Sequence, residues 1–180
     1  RSRDRGASWL AEDKRLNAEV VGPSIDYLPR IACRGSRVYV VWLALWSSDE
    51  HILLNRSTDA GTTWLAEDVR LDDGASPTSA NSPRIVCNGT DVHVIFSERK
   101  EGETLLFARR SLNHGETWST AQPISSEHPG RSGVAEPEVC TSGQNVFTIR
   151  GDMPETAGQL WFNASRDRGD TWLSAEVEMT

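Results

Sequence analysis

Two short runs set the reading of this chain. Val38-Tyr-Val-Val-Trp42 and Val92-His-Val-Ile-Phe96 are apolar with little alternation. Such runs fit strands covered on both faces, whereas a half-exposed strand alternates apolar and polar positions. Around them the pattern predicts three groups of four strands. The first is Pro29–Cys33, Arg37–Trp46, His51–Arg56 and Trp64–Leu71. The second is Pro83–Cys87, Asp91–Ser97, Thr104–Arg110 and Trp118–Ile124, and the third Pro137–Cys140, Asn145–Arg150, Gln159–Ala164 and Trp172–Met179. One more strand, Trp9 to about Leu16, precedes them. Short polar turns such as Asn88-Gly89 join the first and second strand of each group, a strong hairpin signal. No segment combines a helix start signal with an apolar stripe at helical spacing.

The groups are copies of one another. An eight-residue stretch, S-x-D/N-x-G-x-x-W, occurs at Ser2–Trp9, Ser57–Trp64, Ser111–Trp118 and Ser165–Trp172, with first serines 55, 54 and 54 residues apart. A fixed period of this size points to a propeller or a solenoid. The residue types suit a tight turn between strands. Asp4, Asp59 and Asp167 can accept backbone N–H groups, and Asn113 keeps that oxygen without the charge. Gly6, Gly61, Gly115 and Gly169 supply a positive φ, and Trp9, Trp64, Trp118 and Trp172 then bury a large ring. Because Asn113 tolerates the loss of charge, these are read as folding staples, with no catalytic or metal-binding role.

The four stretches resemble the Asp-box, or BNR repeat, of the sialidase-like β-propeller superfamily, and the resemblance covers the whole chain. It implies an all-β fold built from four-stranded antiparallel blades. On this reading residues 1–20 form a partial blade, and 28–71, 82–125 and 136–180 are three blades. The Asp-box turns lie on the face away from the catalytic site. The connections between second and third strands, and between successive blades, vary most and share the opposite face, where loops carry function.

Composition narrows the field. The 180 residues carry a net charge of −7 with no long run of one sign, which argues against nucleic acid or an anionic membrane as partner. No apolar stretch is long enough for a transmembrane helix. Cys33, Cys87 and Cys140, 54 and 53 residues apart, are expected to occupy one repeated site as small buried thiols, neither a disulfide nor a metal centre. No cofactor motif occurs. Sequons at Asn55, Asn88 and Asn163 are explained by the local fold. The compartment stays open, with a secreted or cell-surface setting as one option.

The resemblance implies a catalytic apparatus of three arginines gripping a substrate carboxylate, a tyrosine nucleophile paired with a glutamate, and an acid/base aspartate. The family's first arginine sits in an Arg-Ile-Pro motif. Here Arg30-Ile31 and Arg84-Ile85 have Pro before the arginine, and Glu138 stands at the third equivalent place. A complete set cannot be placed. Asp26, Tyr27, Arg30, Arg84 and Glu138 are the candidate ligand-binding residues. The expected function is a non-catalytic sialidase-like module with a binding or scaffold role towards carbohydrate. The alternative is part of an exo-α-sialidase or other glycoside hydrolase whose catalytic residues lie outside this chain or are shared between chains. Three blades do not close a ring, since propellers use about four to eight. The chain is therefore expected to be a fragment of a longer propeller, or a homodimer forming a six-bladed ring.

Overall fold

The computed structural model describes residues 1–2, 4–17, 25–73, 79–100, 103–125, 134–152 and 158–179. Three four-stranded antiparallel sheets follow one another along the chain. The first comprises β1 (Ile25–Arg34), β2 (Arg37–Trp46), β3 (Asp49–Ser57) and β4 (Val69–Arg70). The second comprises β5 (Ala80–Asn88), β6 (Asp91–Lys100), β7 (Glu103–Ser111) and β8 (Gln122–Pro123). The third comprises β9 (Val134–Ser142), β10 (Asn145–Asp152), β11 (Leu160–Ser165) and β12 (Val177–Met179). Each sheet pairs its strands in chain order, and no helix occurs among the described residues. The first strand of each sheet lies against the sheet before it: β5 packs on β1, β2 and β3, and β9 on β5, β6 and β7. This is the arrangement of successive propeller blades.

The core lies between sheets, as the runs on β2 and β6 require. Val41, Leu43, Ile52 and Leu54 meet Ala80, Val94, Phe96 and Phe107 between the first and second sheets. Ile95, Leu106, Ala108 and Ile124 receive Val139 and Trp172 between the second and third. Neighbouring residues on β6 thus face opposite partners, and Ile95 and Phe96 are both fully buried. In the third sheet Arg150 stands opposite Trp161, as Phe96 stands opposite Phe107 in the second. Arg150 is buried in a two-bond pair with Glu176, at 2.8 and 2.6 Å.

The fourth strands are shorter than the pattern predicts. Only two or three residues of each pair in a ladder. Side chains replace the missing rungs. Asn55 Oδ1 accepts from Leu65 N at 3.0 Å, and Asn163 Oδ1 from Leu173 N at 3.1 Å. Both asparagines are buried, at 0% and 2% exposure, so neither sequon is open to a glycan.

The N-terminal strand is not formed: residues 9–17 have no strand backbone. The segment crosses the open face of the first sheet instead of running beside an edge, so its backbone has no ladder to join. It is held by side chains, with Arg1 Nη1 donating to Ala60 O at 3.1 Å and Lys14 Nζ to Thr62 O at 3.3 Å.

The cysteines also depart from expectation. Cys33 and Cys140 are exposed and Cys87 is half-buried. Cys33 and Cys87 pair with Val38 and Val92, the same register position. Cys140 pairs with Phe147, which corresponds to His93, so its counterpart in the second sheet is Val86. The spacing of 53 is a one-residue slip, and one residue turns a strand side chain to the other face. Cys87 alone has a neighbouring sheet on each side, and burial pushes its thiol pKa up.

The four repeated turns share one hydrogen-bond set. In the second, Ser57 Oγ donates to Asp59 Oδ1 at 2.8 Å and accepts from Gly61 N at 2.8 Å. Asp59 Oδ1 accepts the N–H groups of Thr62 and Thr63, and Oδ2 accepts the Thr63 hydroxyl. Asn113 repeats this through Oδ1, which accepts Thr117 N at 3.0 Å, while its Nδ2 donates to Thr117 Oγ1 at 2.9 Å. The hydrogen bonds hold the Asp4, Asp59 and Asp167 carboxyls well below the usual range.

Candidate functional site

The inner strands β1, β5 and β9 carry one irregularity in common. Each breaks register just before the candidate position: between Tyr27 and Arg30, between Asn81 and Arg84, and opposite Ile149–Gly151 in β9. The residue in the break has a positive φ, at 54° for Leu28, 52° for Ser82 and 26° for Glu136. Each is followed by proline, which normally holds its predecessor in extended conformations. A β-bulge of this kind bends the strand and re-aims the next side chain, and local strain gathers where a site must be held in shape. The side chains so aimed are Arg30, Arg84 and Glu138. Both arginines are braced alike: Nη1 of Arg30 donates to Pro29 O at 3.0 Å and Nη1 of Arg84 to Pro83 O at 3.1 Å.

The structure joins Arg84 to Glu138. Arg84 Nε donates to Glu138 Oε1 at 2.9 Å, with the arginine side chain 7% exposed and the glutamate 66%. Arg30 occupies the same place one sheet earlier, where its counterpart on the next inner strand is Arg84. It makes no ion pair among the described residues.

Asp26 and Tyr27 form a second group. With Arg15, Leu16, Asn17, Val40 and Trp42 they line a cavity of about 230 Å³ between the N-terminal segment and the first sheet. Asp26 accepts a hydrogen bond from Asn17 Nδ2. The Tyr27 hydroxyl donates to Glu50 Oε1 at 3.2 Å, and Ser79 Oγ donates to Glu50 Oε2 at 3.0 Å. Burial, and then the Glu50 charge, push the Tyr27 pKa up, so the phenol stays protonated. Glu50 and Ser79 also bridge the first sheet to the strand that follows. Sequence reasoning missed both. The only signal was that Glu50 stands beside the two-residue turn Ser47-Ser48.

A third polar cluster, also unforeseen, is saturated. Asp72 is buried, accepts Ile52 N at 3.0 Å, and lies 3.2 Å from His51 Nδ1 and 2.7 Å from Arg70 Nη2. The His51 ring lies 4.5 Å from that of Trp46. These contacts tie the chain beyond β4 to β3. The variable loops expected to shape the site fall largely outside the described residues, in 74–78, 126–133 and 153–157.

Comparison with solved structures now bears on this geometry. The chain is similar to a Hadza microbial sialidase, with a TM-score of 0.66 and 18% identity over 82% of this chain and 36% of that one. It is similar to Trypanosoma rangeli sialidase in complex with 2,3-difluorosialic acid, with a TM-score of 0.62 and 13% identity over 86% and 31%. It also resembles a family 117 glycoside hydrolase from the marine bacterium Zobellia galactanivorans, with a TM-score of 0.61 and 12% identity over 91% and 59%. The chain spans between about a third and three-fifths of the length of these structures. No family model matches it, and no curated protein does. The likeness defines the fold: three propeller-like blades of the kind found in sialidases and related glycoside hydrolases.

Proposed function

We propose that this chain is a segment of a sialidase-like propeller with Asp-box turns, and that it serves as a non-catalytic module binding carbohydrate at the bulged ends of its inner strands. Asp26, Tyr27, Arg30, Arg84 and Glu138 are the binding residues. One observation carries the reading. Of the three positions aimed by the bulges, one is a glutamate, and it occupies the arginine beside it. Among the described residues, Arg30 is then the arginine aimed by a bulge that has no carboxylate, so the three aimed positions do not present a cluster of free arginines to an acidic sugar. The ring would be completed by further blades, either from more of the chain or from a second copy.

A second reading is favoured by the contact of Tyr27 with Glu50, a phenol beside a carboxylate that could take its proton. In it the chain is part of a glycoside hydrolase whose other catalytic groups lie on further blades. Glycan-array binding and turnover of a fluorogenic sialoside separate the two. The first reading expects binding without turnover. Hydrolysis that is lost in both Arg30→Ala and Tyr27→Phe would replace it with the second.

A further inference from the structure

Position 138 also bears on which sugars this site accepts. Three equivalent positions on adjacent inner strands hold Arg30, Arg84 and Glu138, and the last two are joined at 2.9 Å. Glu138 takes the Nε–H of Arg84 and Pro83 O takes a hydrogen of Nη1, so the charge another carboxylate would seek is already balanced. The Arg84 side chain is nearly buried while Glu138 is largely exposed, so water screens the pair from the glutamate side. Glu138 is two-thirds exposed, and its Oε2 accepts no hydrogen bond among the described residues. At the same strand ends stand Asp26 and Glu50. Among the described residues, Asp26, Glu50 and Glu138 supply carboxylates here and Arg30 and Arg84 guanidiniums, with Arg15 beside Asp26 at the cavity, on a chain whose net charge is −7. The remaining groups are mixed: Arg30 donates, and Glu138 and the Ser79 oxygen accept, the Ser79 hydrogen being given to Glu50. Such a set matches the hydroxyls of a neutral sugar ring, each both donor and acceptor.

We infer that Glu138 is a specificity-determining residue: by occupying Arg84 it selects neutral sugars and rejects those bearing a carboxylate. The inference rests on the carbohydrate-binding reading above. Rejection arises because Glu138 already balances Arg84, which leaves an incoming carboxylate beside a like charge with no counter-charge from that arginine, and not from lost shape, since the guanidinium stays in place. Removing the charge while keeping the size should release Arg84 as an anion site.

Matched ligand pairs test this. Methyl glucoside and methyl galactoside differ from their uronic-acid counterparts only at the carboxylate. Titration calorimetry on the intact chain should show the neutral member binding better by about tenfold, and Glu138→Gln should move that ratio towards the acid by about tenfold or more. Circular dichroism and thermal melts of the exposed-site variant should match the wild type. A sugar-free measurement runs beside it: sodium acetate should shift the Arg84 Nε–H resonance in Glu138→Gln and leave it in place in the wild type. If sugars bind but the ratio does not move, or acetate shifts both proteins equally, the role of Glu138 is overturned and carbohydrate binding stands. If no sugar of either series binds while the acetate result holds, the carbohydrate reading falls, and sugar selection by Glu138 falls with it.

Discussion

Arg110, the last residue before the third repeated turn, donates through Nη1 to the carbonyl of Arg168 at the crest of the fourth, at 3.3 Å. The same guanidinium pairs with Asp170. Arg168 returns the contact by gripping Asp91 at the hairpin of the second sheet. Arg1 stands in the same relation to Ala60, and the Arg56 side chain lies against Gly115. The second, third and fourth turns thus each meet the arginine that stands just before the preceding turn. Gly115 and Gly169 have a second role here: a Cβ would come within 3.2 Å of Arg56 and of His93. The turn glycine serves both its own φ and the fit between sheets.

The turn itself predicts a stability effect. Ser111 is buried, at 1% exposure, and its hydroxyl bonds Asn113 Oδ1 and Gly115 N. Ser111→Ala should therefore cost about 1–3 kcal/mol, because a buried N–H loses its acceptor. Asn113→Asp should change stability by no more than about 0.5 kcal/mol, since Thr117 can reverse its hydroxyl to donate, as Thr63 does to Asp59. Urea melts of both variants measure this, and equal losses would show that the turn depends on something other than its hydrogen bonds.

His93 makes stability depend on pH. It is buried at 3% exposure beneath Gly169. Asp91 on its own strand, Arg110 on β7 and Arg168 in the turn face it, and burial draws its pKa from 6.5 to about 4. The folded state therefore binds fewer protons than the unfolded one between those values. The His93 contribution is complete above about pH 6.5 and is lost as pH falls towards 4, by up to about 3 kcal/mol. The turn carboxylates titrate below that window. Tyr39 and Phe147 hold the corresponding places on β2 and β10. His93→Tyr should therefore fold and should flatten the difference between unfolding free energies at pH 5 and pH 7. An undiminished difference in the variant would assign the effect elsewhere.

Much of this was legible in the sequence, and the failures have physical causes. The strands β2 and β3 are recovered because apolar density and turn chemistry agree at both ends. The hydrogen bonding of the turns follows from residue type alone, down to Asn113, but the expected burial of the turn tryptophans fails at Trp9, which is 72% exposed because no sheet precedes it. What was not legible depends on position relative to a neighbour. The bulges at Leu28, Ser82 and Glu136 place non-glycine residues at positive φ before proline, a conformation no propensity favours. The slip of Cys140 is hidden in a spacing that differs by one. Glu50 reaches Tyr27 only because β1 and β3 flank the same strand. Of the five candidate residues, Arg84 with Glu138 and Asp26 with Tyr27 come together as groups, and Arg30 stands apart from both.

The buried pair of Arg150 and Glu176 should behave asymmetrically. Its side chains are 4% and 2% exposed, and it stands where the second sheet has Phe96. Glu176→Ala should cost about 3–5 kcal/mol, because it takes the paired carboxylate from a buried guanidinium. Replacing both, as Arg150→Phe with Glu176→Leu, should cost much less, since apolar side chains of similar volume avoid the desolvation of two charges. Chemical denaturation of the single and double variants measures both, and a double variant as weak as the single one would mean the pair is worth more than packing.

The end faces make the last prediction. The face of the third sheet that corresponds to the packed face of the first two is uncovered. Leu160, Val177 and Met179 are 51%, 48% and 51% exposed, beside the stacked rings of Phe147 and Phe162. At the other end Ile31 is 69% exposed, and the N-terminal segment covers the first sheet incompletely, leaving a cleft lined by Trp9, Leu10, Val38 and Trp64. Both faces are of the kinds that pack against each other inside the chain, so the third sheet of one copy can receive the first sheet of another. A two-fold pair joins both ends at once and gives six blades, and two-fold dimers are the commonest closed symmetry. Soluble monomers rarely leave such faces open. The 19.9 kDa chain should therefore run near 40 kDa by light scattering at low micromolar concentration. Leu160→Glu, which puts a charge into the joint, should shift it towards about 20 kDa while leaving the β-sheet spectrum intact. A wild-type chain that stays soluble and monodisperse at about 20 kDa would overturn the dimer and leave loops or further blades of a longer chain to cover these faces.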